Sequence, residues 1–167
     1  MPIVLRETSE RDLDLVLEIE GDPGVAPYMV RLSREEQREA ILSEREERLL
    51  VVEDGEVVGT ALLSGIGGRN DSIEIRRVAI TRRGRGLGRR ALELVVDRAF
   101  DRHGAHRVWL DTQPGNERAL RAYAAVGFVR DGVLREAIRF DDRHVSVVVL
   151  SIVEGEWRQR GRETAAR

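Results

Sequence analysis

Residues 71–90, Asp-Ser-Ile-Glu-Ile-Arg-Arg-Val-Ala-Ile-Thr-Arg-Arg-Gly-Arg-Gly-Leu-Gly-Arg-Arg, constrain this chain more than any other stretch. Residues 72–80 alternate and are rich in Ile and Val, the pattern of a strand. Gly84, Gly86 and Gly88 then let the backbone turn tightly and approach a ligand, and Leu87, Ala91, Leu94 and Val95 open a helix with apolar residues spaced by about 3.6. Strand, glycine turn and helix start make an anion site, because unpaired N–H groups and the positive end of the helix dipole converge there. Arg82, Arg83, Arg85, Arg89 and Arg90 add formal positive charge, so a phosphorylated ligand is expected.

The rest of the chain bounds what that ligand can be. Its net charge is −2, so the basic cluster is local, which argues against a nucleic-acid binder with a positive field over a whole face. At 167 residues, one domain with a sizeable core is expected. No apolar run approaches the roughly 20 residues of a membrane span, and Met-Pro-Ile-Val-Leu-Arg-Glu has no signal-peptide pattern, so a cytoplasmic location without a membrane partner is expected. There is no cysteine, which excludes disulfides, thiolate metal ligands and a cysteine nucleophile. His103, His106 and His144 form no convincing metal set, and no metal is expected.

Taken in order, residues 3–6 read as a strand, Ser9 with Asp12 as a helix cap, and Leu13 to Ile19 as a helix stopped at Gly21-Asp22-Pro23-Gly24. Residues 23–33 read as a lid, and Ser33 with Glu36 opens a polar helix expected to reach about Arg48. Asp54-Gly55 marks a hairpin between strands 49–53 and 57–64. After the strand of the opening stretch come a helix to about His103, a strand at 107–111 and a helix at 117–126, a βαβ order that predicts locally parallel pairing. Strands are expected to start at Phe128 and to run over 145–153. Residues 1–153 thus form a single domain, and the charged tail 154–167 is expected to fray.

The glycine turn has competing readings. A P-loop needs a lysine, which this chain lacks, and a Rossmann fingerprint needs G-x-G-x-x-G rather than glycines spaced by two. Arg83-Gly84-Arg85-Gly86-Leu87-Gly88 matches R/Q-x-x-G-x-G/A, and with Val78-Ala79-Ile80 before it the stretch resembles the acetyl-CoA-binding motif of the GNAT N-acetyltransferase superfamily. Asn116 and Tyr123, with Ala119 between them and Gly127-Phe128 after, are similar to the downstream part of that pattern.

The resemblance implies an α/β (α+β) GNAT fold, a mixed sheet of six to seven strands flanked by about four helices. It implies acetyl-CoA as co-substrate, with its diphosphate on Gly84 to Arg89 and Arg83, its pantetheine arm along Val78, Ala79 and Ile80, and Asn116 on the arm. It places the Tyr123 hydroxyl near the sulfur. Glu74, four residues before Val78, reads as the general base on the same side of the sheet. A ternary complex with direct attack by a primary amine is the simplest mechanism for a chain without cysteine or a G-x-S-x-G elbow. Residues 127–144 look like the subgroup of ribosomal-protein N-terminal and polyamine acetyltransferases, with Glu136, Asp141 and Asp142, expected in a loop after Gly132, as an acidic rim for a small amine or a protein N-terminus. A homodimer through Trp157 and the last strand is a further expectation. The alternative reading is a catalytically silent acyl-CoA-binding sensor or assembly module.

Overall fold

Near-continuous apolar runs at residues 49–52, 61–63 and 147–150 let one seven-stranded sheet bury both of its faces at its centre. The computed structural model describes residues 2–165 of the chain. The strands are β1 (Ile3–Glu7), β2 (Glu46–Glu53), β3 (Glu56–Ser64), β4 (Ser72–Ile80), β5 (Arg107–Thr112), β6 (Val129–Phe140) and β7 (Arg143–Val153). The helices are α1 (Leu13–Glu20), α2 (Arg34–Leu42), α3 (Leu87–Asp97), α4 (Glu117–Val126) and α5 (Glu154–Ala165). The sheet runs β1-β2-β3-β4-β5-β7-β6, with β4–β5 its one parallel pair.

Ile73, Ile75, Leu92, Val95, Val96 and Val108 lie in the main core, on the sheet face under α3 and α4. Val16, Ile19, Leu50 and Ala79 build a smaller core on the opposite face, under α1. α3 places Leu87, Ala91, Leu92, Val95 and Val96 inward at helical spacing, and one wider turn, Arg98–Arg102, carries the chain on and buries Ala99 and Phe100.

The sheet's one discontinuity makes room for a site. β4 and β5 pair only at Ser72–Glu74 with Arg107–Trp109. β5 then pairs with β7 along its whole length, and β4 stays with β3 to Ile80, so the two parallel strands part and leave a gap open to both faces.

Three expectations are corrected. α2 stops at Leu42 and β2 begins at Glu46, because the apolar run from Leu49 draws its flanks into the sheet. The chain after Gly132 is a strand, not a loop: β6 continues to Phe140, interrupted by a bulge between Leu134 and Ile138 where Glu136 has φ 48°. The tail does not fray up to Ala165. Trp157 stacks on Phe100 with ring centroids 6.4 Å apart, its indole N–H donates to Asp97 Oδ1 at 2.8 Å, and Arg160 donates to the Ala125 carbonyl at 2.6 Å. A hydrogen bond to a charged acceptor contributes about 1.5–3 kcal/mol, enough to hold a short polar helix on its domain.

Candidate active site

The pairing of β4 with β3 decides which side chains face which layer. Leu62 pairs with Arg77 but Leu63 pairs with Ile75, so Arg76 is an extra residue, a bulge. One inserted residue inverts the alternation. Before the bulge, Ile73 and Ile75 point to the α3–α4 face; after it, Val78 does, while Ala79 joins the core under α1. Glu74 is therefore on the face opposite Val78, contrary to the sequence expectation. Asp111 shares the side of Glu74, since Glu74 is in register with Trp109 and Asp111 lies two residues further along β5.

Both faces open into one cleft of about 780 Å³ where β4 and β5 part. Its wall under α3 and α4 has Val78, Ile80, Gly88, Asn116 and Tyr123; the other side has Glu74, Asp111 and the segment Pro23–Leu32. The expected lid does border the cleft. Ile138, Arg139 and Phe140 of β6 and Val145 and Val147 of β7 close the far end.

At the start of α3 the turn is built for close approach. Gly84, Arg85 and Gly86 have φ of 94°, 55° and 68°, three successive residues in the left-handed region. Such a conformation costs about 1–2 kcal/mol for a residue with a Cβ, which is why glycine brackets the arginine. Gly86 caps α3 without a side chain. The N–H groups of Leu87 and Arg90 bond to the carbonyls of Gly84 and Gly86, at 3.2 and 3.0 Å, and those of Gly88 and Arg89 belong to the first turn of α3, where N–H groups have no partner within a helix. A second cavity of about 320 Å³, lined by Arg82, Arg83, Gly84, Arg85 and Leu87, adjoins this turn.

The basic cluster is less positive than its sequence. Arg82 is paired with Glu53 and Glu56, Arg89 with Glu93 at 3.0 Å, and Arg90 lies 3.8 Å from Glu53. Arg83 makes no ion pair among the described residues and lines both cavities. Leu87 and Ala79 are core side chains, so only their backbones are available to a ligand. A diphosphate with an extended amide-bearing arm fits these residues: a backbone nest at a helix start, one arginine at its mouth and the open edge of a strand.

The catalytic candidates meet at the gap. Burial pushes the Glu74 carboxyl up, Asp111 pushes it further, and Arg76 partly opposes. Burial also raises Asp111. Tyr123 is half-buried against Phe128, ring centroids 6.0 Å apart; burial and then Asp111 push its hydroxyl up to about 12, so it is a phenol at any working pH. Asn116 caps α4, accepting the Ala119 N–H at 3.3 Å, and donates to Thr112 Oγ1 at 3.2 Å. Asp111 carries no signal in the sequence, because a lone aspartate late in a strand gains meaning only through its register with Glu74.

The expected acidic rim is absent from the cleft wall. Glu136, Asp141 and Asp142 do not line it, because the bulge holds the Glu136 N–H on Ser146 Oγ at 3.0 Å and turns Ile138 and Phe140 inward instead. Among the described residues no group of three His, Asp or Glu side chains is arranged to hold a metal, and no helix is long and apolar enough to cross a membrane.

The model of the acetyltransferase (GNAT) family matches residues 13–128. The chain belongs to the GNAT family. As a GNAT enzyme it is an acetyl-CoA-dependent N-acetyltransferase with the fold its sequence implied. It is 23% identical to the spermidine N(1)-acetyltransferase of Escherichia coli K12, over 93% of this chain and 88% of that one. It is 26% identical to the spermidine N(1)-acetyltransferase of Vibrio cholerae, over 80% of this chain and 79% of that one. The crystal structure of the Vibrio cholerae spermidine N-acetyltransferase in complex with CoA and spermine superposes with a TM-score of 0.81 at 22% identity, covering 93% of this chain and 98% of that one.

Proposed function

We propose that this GNAT enzyme transfers the acetyl group of acetyl-CoA directly to a primary amine of a linear polyamine, in the gap between β4 and β5. The observation that carries the reading is the pair Glu74 and Asp111, the only carboxylates on the cleft wall among the described residues, in a cleft that also holds Tyr123. A polyamine brings several ammonium groups, so one carboxylate can hold a charge while the other takes a proton. Relatives named as spermidine N(1)-acetyltransferases support the acceptor class.

Acetyl-CoA supplies a thioester acyl group. The turn Gly84–Gly86, the N–H groups of Gly88 and Arg89, and Arg83 would hold its diphosphate; the open edge Val78–Ile80 and Asn116 would hold its arm. Glu74 takes the proton of the bound ammonium. A primary amine with a pKa of about 10 is neutral in roughly one molecule in a thousand at pH 7, a cost of about 4 kcal/mol, and a carboxylate raised toward neutrality is the better matched base. Tyr123 donates a hydrogen bond to the departing sulfur and keeps its proton. The C–S bond breaks as the new C–N bond is kept, and the second proton, shed by the acylated nitrogen, ends on the thiolate, which leaves as the free thiol of coenzyme A. With the phenol near 12 against a thiol of about 8.5, full transfer would run uphill by about 5 kcal/mol.

In this reading the enzyme acts in the cytoplasm without metal, membrane or nucleic acid. It pairs as a homodimer through β6, the edge strand that exposes Val129, Val133 and Leu134. The route through Trp157 and the last strand is dropped, since Trp157 packs on Phe100 and β7 lies between β5 and β6. Thiol release from acetyl-CoA, measured over spermidine, spermine, an amino sugar and an N-terminal peptide, tests the function. Release with the polyamines above all others is expected. Coenzyme binding by calorimetry with no release for any amine would favour the silent acyl-CoA-binding module instead.

A further inference from the structure

Behind the lid lies a buried charge cluster that the transfer chemistry leaves unused. Glu20 of α1, Gln37 of α2, Arg48 of β2 and Arg77 of β4 are all less than a tenth exposed and meet on the acceptor-side face of the sheet. Glu20 Oε1 accepts from Arg48 at 2.8 Å and from Arg77 Nε at 2.9 Å, and its Oε2 accepts from Gln37 at 2.6 Å. Arg48 also donates to Gln37 Oε1. One carboxylate serves two guanidinium groups, so the cluster is one positive charge in excess and short of acceptors. Arg48 Nε indeed has no hydrogen-bond partner among the described residues.

Arg77 meets its own shortfall through the lid: its Nη2 donates to the carbonyl of Val30. A buried cationic N–H without an acceptor is costly, so the lid carbonyl is held as the cluster's missing oxygen. Arg77 reaches that face only because the bulge at Arg76 inverts the alternation of β4. The residue after it, Val78, faces the coenzyme side. The lid's other end is tied to the coenzyme side too: Arg83 packs so closely on Gly24 that a Cβ there would collide with its guanidinium.

We propose that Arg77 is a positioning residue for the acceptor: by holding Val30 it fixes the segment 23–33 as the acceptor wall of the cleft, to which Tyr28, Met29 and Leu32 contribute. The assignment of that wall to the acceptor rests on the function proposed above; the latch itself does not.

Two readouts on the full chain separate them. The first is amide hydrogen exchange of the free protein, wild type against Arg77→Lys and Arg77→Met. Arg77→Lys keeps a charge for Glu20 and gives up the second arm. The amides of Tyr28 and Met29, bonded to the carbonyls of Val25 and Ala26, are expected to exchange about tenfold faster in both variants, with β4 and α1 amides within about twofold of wild type. The second is steady-state kinetics with spermidine as probe: its KM rises about tenfold while the KM for acetyl-CoA stays within about twofold. Unchanged lid exchange, or exchange that quickens equally in β4 and α1, overturns the latch. Failure of the wild type to acetylate spermidine counts against the polyamine reading, and the exchange data still decide the latch.

Discussion

The two sides of the cleft are built in different ways. The turn proposed to hold the coenzyme diphosphate is local and made of backbone: within about twenty consecutive residues come the open edge of β4, three left-handed residues and the first N–H groups of α3. The side proposed for the acceptor is assembled from far apart. Glu74 and Asp111 come from two strands, the lid from the α1–α2 connection, and Ile138 and Phe140 from beyond a bulge in β6. A donor that does not vary can be held by a fixed motif, whereas side chains gathered from several elements can change singly and alter the acceptor. The bulge at Arg76 joins the two, turning Val78 toward the α3–α4 face and leaving Glu74 and Arg77 on the other.

Substitutions can break this division. The largest effect is expected at Gly86. Gly86→Val places a β-branched residue at φ 68° and should weaken coenzyme A binding by on the order of 100-fold in calorimetry, while the same strain lowers the melting temperature by only about 2–8 °C. If coenzyme affinity survives, the turn is not the diphosphate site.

Glu74→Gln should lower kcat by about 10²–10⁴-fold and leave coenzyme affinity alone. It should also raise the melting temperature at pH 7.5. A carboxyl whose folded-state pKa is raised by burial favours the fold while protonated and opposes it once ionised, so stability is lost as pH rises. The neutral amide removes that loss, and the gain should fade below the ordinary carboxylate range. A variant both inactive and less stable at pH 7.5 would make Glu74 a structural partner of Arg76.

Tyr123→Phe should cost about 10²-fold in kcat, since only the hydrogen bond to the leaving sulfur is lost, and the packing on Phe128 remains. The smallest effect is a shift. Asp111→Asn removes the charge that helps raise Glu74, so the acid limb of kcat/KM against pH should move to lower pH. An unmoved limb would mean that the two carboxylates do not sense each other.

The same division explains what could be read without coordinates. β4 over 72–80, the α3 start at Leu87 and α4 over 117–126 follow from alternation, glycine and cap residues, all local signals, and both capping pairs form. The family motif lies in that local part. The bulge at Arg76 depends on which β3 residue pairs with which, a long-range fact without a signature in β4 itself. α5 has a charged sequence with no apolar stripe, and it is held by Trp157 meeting Phe100 and Asp97 and by Arg160 on the Ala125 carbonyl. Glu20, Arg48 and Arg77 are 57 residues apart at the extremes and read singly as surface charges, yet they are buried together.

The most direct test is the pH dependence of thiol release from acetyl-CoA with spermidine, for wild type and Glu74→Gln. Release should need both substrates and rise through an acid limb above the ordinary carboxylate range, a limb missing in Glu74→Gln. Release no faster than background at every pH, or the same limb in the variant, would contradict the proposed mechanism.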